Sequence, residues 1–133
     1  MRLPCFASVK RFSVAHELGH YFLDGYVQHL FAGGQFLHKS ESGFISKNPY
    51  GREADAFAAA MLMPKALFRA ASAKAGEGLD AITYLAETCG TSLTATSIRC
   101  AKLSDSPLAV VCSSGDKIHF AVMCQNRFAP VPI

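Results

Sequence analysis

The chain has no tryptophan, only 17% charged residues, and five cysteines that never occur as C-x-x-C. Each scarcity narrows the field. Cys5, Cys89, Cys100, Cys112 and Cys124 are odd in number and widely spaced. That argues against a disulfide framework or a cysteine-built structural zinc, and fits reduced thiols in a cytoplasm. No apolar run approaches the ~20 residues that span a bilayer, so no membrane partner is expected. The N-terminus shows no basic start leading into an apolar stretch and a small-residue cleavage site, which again predicts a cytoplasmic protein. A net charge of +3, spread along the sequence, does not call for nucleic acid. Internal repeats and low-complexity tracts are missing too. What is present is 133 residues, half of them apolar, enough for one domain with a real core.

The informative stretch is His16-Glu17-Leu18-Gly19-His20, an H-E-x-x-H pattern inside an apolar run. Two imidazoles four residues apart lie one turn above the other on a helix and can reach one metal ion from the same side. Glu17 stands beside the first ligand, where a carboxylate can hold and deprotonate a metal-bound water. The pattern alone fixes three residues, and two ordinary surface histidines on an amphipathic helix are its plain alternative. The surroundings favour a helix over about Ser13 to Leu23. Ser13 is expected to cap its start, Gly25 to close it, and Val14, Leu18 and Phe22 to form its buried stripe.

A catalytic zinc takes three protein ligands and keeps one position for water. The H-x-x-G-x-x-H continuation is not there, since Leu23 and Tyr26 occupy the places of its Gly and third His. The better candidate is Glu53, near the start of an Ala-rich helix expected from about Arg52 to Met63 and stopped by Pro64. Glu53, Phe57 and Met61 form a stripe expected to pack on the first helix. An acidic residue is also favoured at a helix N-terminus by the dipole alone. Asp55 competes as a ligand but lies about 160° around the helix from Glu53, and is expected to face solvent or a partner of the ligands.

Arg11 to Tyr21 and Arg52 to Pro64 together resemble the ImmA/IrrE family of metallopeptidases, whose members carry an R-F-S/T-x-A-H-E-L-G-H helix followed by an E-A-N/D-x-F-A-x-x-L/M-L-M-P helix. The likeness continues more weakly through Tyr84–Ser92 and Ser97–Leu103. It implies His16, His20 and Glu53 as zinc ligands (manganese serving in vitro) and Glu17 as general base. It also implies a protein substrate, a helix-turn-helix repressor cut under stress or in phage and mobile-element control. Members usually place several dozen residues, including strands that border the substrate cleft, before the first block. Here ten residues precede Arg11. That departure motivates an alternative, a metal-binding regulatory module that sequesters a repressor or antitoxin without cutting it.

The expected fold is α+β: a single metallopeptidase-like domain over residues 1–133, with a mainly helical, zincin-like catalytic part over about 10–103 and a small antiparallel hairpin over about 107–125. Residues 1–10 look like an extended lead-in. From Tyr26 to Gly51 the periodicity fails, with one short strand expected near Gly43–Ser46. Further helices are expected from Pro64 to about Ala75, Asp80 to Cys89 and Leu93 to Leu103. Leu108–Cys112 and Lys117–Cys124 flank a hairpin turn at Ser113–Asp116. The last two helices resemble a helix-turn-helix, but Arg99 and Lys102 are too few to read DNA, so direct nucleic-acid binding is not expected. Tyr50, His38, His119 and Arg99 are chemically able to stabilise an oxyanion, and Asp24 can partner a ligand imidazole.

Overall fold

A computed structural model describes residues 5–23 and 49–124. The expected strand at Gly43–Ser46, the Gly25 cap, and the candidates Asp24 and His38 lie outside the described residues. Among the described residues, five helices come first: α1 (Cys5–Phe22), α2 (Pro49–Leu62), α3 (Lys65–Ala75), α4 (Gly78–Cys89) and α5 (Leu93–Leu103). Two antiparallel strands follow, β1 (Ala109–Ser114) and β2 (Lys117–Met123). The α+β class, mainly helical with a C-terminal hairpin, is therefore the one expected.

Helix α1 corrects the expected start. It begins at Cys5, so residues 5–10 are helical and Ser13 is interior rather than a cap. The Ser13 hydroxyl donates to the carbonyl of Val9 at 3.0 Å, the back-bond an interior serine makes. The stripe changes as well. Ser8, Phe12, Ala15, His16, Gly19 and His20 are buried, whereas Val14 and Phe22 are 62% and 63% exposed. The buried face is set by contact with α2, and that contact is made by small residues. A Cβ built on Gly19 would stand 3.1 Å from the Ala54 Cα and 3.2 Å from both the Ala54 oxygen and the Phe57 Cβ. Glycine here lets two helix backbones approach closely, and bulkier residues turn outward. Helix α2 likewise presents Gly51, Ala54 and Ala58 inward. It does not present the expected stripe of Glu53, Phe57 and Met61: Glu53 and Met61 are exposed, and Phe57 stacks on Phe22 at the rim, with ring centroids 6.2 Å apart.

The core runs from this pair through the later helices and is built on Phe12, Ala15, Ala58, Met63, Phe68, Leu85 and Ala95. Local signals end the elements where the sequence places them. Pro64 is the N-cap of α3, Gly90 closes α4 in the left-handed region at φ 64°, and Ser92 accepts from the Ala95 amide at the start of α5. Two arginines hold helix ends. The Arg11 guanidinium donates to the carbonyls of Cys89 and Gly90 at 2.9 and 3.0 Å, tying α1 to the end of α4. Arg99 Nε donates to the carbonyl of Met63 at 3.0 Å. The hairpin pairs Ala109 with Met123 and Cys112 with Phe120, has an irregularity at Cys112/Ser113, and packs on α5.

A candidate metal centre between the first two helices

His16 and His20 fall on the buried face of α1 as their spacing requires, and α2 roofs them. Both are under a tenth exposed. Their Nε2 atoms face each other at 2.9 Å, with the rings edge to face and centroids 4.5 Å apart. Two nitrogens on one tetrahedral zinc, at bond lengths of ~2.0–2.1 Å, stand ~3.3 Å apart. The pair thus fits a shared ion after opening by a few tenths of an ångström. Glu17, one position on, is exposed.

The other nitrogen of His16 is held from α2. Asp55 Oδ1 lies 2.7 Å from His16 Nδ1, and the Asp55 side chain is only 15% exposed. Burial pushes the Asp55 carboxyl above its ordinary range; the hydrogen bond from His16 and the charge of Lys102 offset only part of that. An ionised carboxylate only accepts, so Nδ1 of His16 carries the hydrogen and its Nε2 presents a lone pair. In the contact between the two rings, His20 Nε2 is then the donor. The second Asp55 oxygen, Oδ2, is buried with no hydrogen-bond partner among the described residues.

The predicted residues are thus partly assembled. His16 and His20 are brought together and Glu17 stands beside them. Glu53 is not brought to them: it lies on the exposed side of α2 with Ala56 and Ala60. The reason is rotational. Asp55 reaches His16, and a residue two positions away points about 160° around the helix. Among the described residues no group of three His, Cys, Asp or Glu side chains is placed to hold one ion. The oxyanion candidates also separate. Arg99 is engaged at the end of α2, where burial lowers its pKa, and His119 is exposed on β2. Tyr50 is half-buried in the first turn of α2. The sequence left Asp55 open between solvent and a ligand's partner, and the structure decides for the partner.

Compared with known protein families, residues 8–101 match the peptidase M78 profile, described as an IrrE N-terminal-like domain. The match takes in α1, both histidines and α2, and runs almost to the end of α5. No curated protein and no solved structure matches the chain. No helix among the described residues is long and apolar enough to cross a membrane.

Proposed function

We propose that this chain, which belongs to the peptidase M78 family of IrrE N-terminal-like domains, is a zinc-dependent endopeptidase. The observation that supports this most is the buried histidine pair, with Nε2 facing Nε2 and one ring locked by Asp55. His16 and His20 would hold the metal. A zinc ion held by them would supply Lewis acidity and make a water acidic enough to be deprotonated near neutral pH. The Glu17 carboxylate takes a proton from the attacking water and hands it to the departing amide nitrogen. Glu17 is exposed on α1, one position after His16. The substrate we propose is a helix-turn-helix repressor, whose exposed loop would lie across the mouth of the pair, and the compartment is the cytoplasm. Manganese can replace zinc in vitro.

One observation favours a second reading. Three protein ligands are usual for a catalytic zinc, and Glu53 stands on the exposed side of α2. A protein that binds metal and sequesters a repressor or antitoxin needs no competent hydrolytic centre. The two readings part at Glu17. Purified protein, loaded with zinc or manganese, is mixed with candidate helix-turn-helix regulators, and fragments are followed by mass spectrometry. The peptidase reading expects fragments from the native chain and a loss of roughly 10²–10⁴-fold in rate for E17Q, with metal content unchanged. An intact regulator held in a stable complex by both forms sinks the peptidase and establishes the binding module.

A further inference from the structure

The α2 carboxylate that touches the histidine pair is Asp55. We infer that Asp55 is a positioning residue for the metal site: it fixes His16 as the Nδ1–H tautomer and so keeps the Nε2 lone pair aimed into the space shared with His20. This inference rests on the proposal that the pair holds zinc.

Three observations carry it. The contact is short, 2.7 Å, and is made to the nitrogen of His16 that faces away from His20. The site is costly for a carboxylate. Asp55 is largely buried beside Gly51, Ala54 and Ala58, and its Oδ2 has no hydrogen-bond partner among the described residues. A buried acceptor left unsatisfied is destabilising, so packing gives no reason for an acid at this position. The third observation is the imidazole's choice of tautomer. Without an acceptor on Nδ1, the His16 hydrogen can move to Nε2, which removes the lone pair a metal needs. The Gly19–Ala54 approach sets the distance over which Asp55 works, because it holds the two backbones close enough for a short side chain to bridge them.

The test uses the full chain labelled with 15N-histidine, at fixed neutral pH, in two measurements. In metal-free protein, long-range 1H–15N correlation spectra read the His16 tautomer. Zinc affinity is then read by competition with a chromophoric chelator. Native protein is expected to show Nδ1–H at His16. D55A is expected to show substantial Nε2–H at His16 and a zinc affinity lower by roughly 10–100-fold. D55N has a similar shape but can turn its amide NH2 to donate to Nδ1, so it is expected to lose the Nδ1–H tautomer and zinc affinity as D55A does. It also guards against a folding defect in D55A. An unchanged tautomer together with an affinity within about twofold in D55A overturns the inference. Native protein that shows Nδ1–H but takes up no zinc overturns the metal-site proposal instead, and the positioning role toward zinc goes with it.

Discussion

Replacing Gly19 by alanine sets two known effects against each other. In an exposed helix interior, alanine is better than glycine by ~1 kcal/mol, so helix propensity alone predicts stabilisation. Gly19 is not exposed. The added methyl would meet the Ala54 Cα at 3.1 Å, and the Ala54 oxygen and Phe57 Cβ at 3.2 Å each. All three atoms belong to α2, two of them to its backbone, so no flexible side-chain end can swing aside. The whole helix must move by a few tenths of an ångström, against the most extensive helix–helix packing among the described residues. Forcing a methyl into a packed interface costs about 1–3 kcal/mol. Subtracting the propensity gain leaves a net loss of about 1 kcal/mol, or a melting temperature lower by roughly 3–5 °C for a domain of this size. The same displacement stretches the Asp55–His16 bridge, so zinc affinity falls together with stability. Thermal unfolding followed by circular dichroism, with and without zinc, checks both parts. A G19A protein that melts higher than the native chain would refute the close approach of α1 and α2, and with it the geometry that joins Asp55 to His16.

Two further outcomes follow from the later helices. Burial, reinforced by the neighbouring Cys89, raises the Cys100 thiol to about 11 from an ordinary 9.0. At neutral pH its thiolate fraction is then lower by about 100-fold, and iodoacetamide should modify Cys100 in native protein about that much more slowly than an unperturbed thiol. The same shift gives a sign for stability. Between pH 9 and 11 the unfolded chain loses a proton that the folded chain keeps, so stability is full below pH 9 and declines as pH rises through that window. Two units correspond to at most ~2.7 kcal/mol, and partial solvent access reduces this to about 1–2 kcal/mol. Denaturation midpoints measured across the window should decline less in C100A, and an unchanged decline there contradicts the assignment. At the start of α5, S92A removes the oxygen that accepts from the Ala95 amide at 3.1 Å. A loss of about 1 kcal/mol is expected in urea unfolding, and no change in midpoint would show that the cap contributes nothing.

What could be read from the sequence was local. The His16–His20 pair depends on a four-residue spacing within one helix, and no tertiary fact is needed to place both rings on one face. The ends of α4 and α5 and the turn of the hairpin are equally local, fixed by Gly90, Ser92 and Gly115. The start of α1 was not legible, because residues 5–10 are helical without an acidic first turn to announce it. Its buried face was misread for a related reason. Val14, Leu18 and Phe22 make the more apolar stripe, yet an interface that needs close approach selects Ala15 and Gly19 instead.

The rotation of α2 is the deepest case, because the identity of the carboxylate at the site hangs on it. A helix reading Ala54, Ala56, Ala58, Ala59 and Ala60 has small apolar side chains on every side. Hydrophobic contrast, the signal that tells a buried face from an exposed one, is therefore nearly flat around its axis. Glu53 and Asp55 lie two positions apart, about 160° around the helix on opposite faces. The sequence can say that α2 comes close and that one carboxylate meets the histidines, but the choice is made by three-dimensional packing. Gly51, Ala54 and Ala58 turn inward against α1, and that turn carries Asp55 to His16 and Glu53 to solvent. A ligand pair encoded within one helix survives any such rotation, whereas a residue supplied by a second, slim helix does not. The third metal ligand is therefore the part of the site that pattern reading is least able to assign.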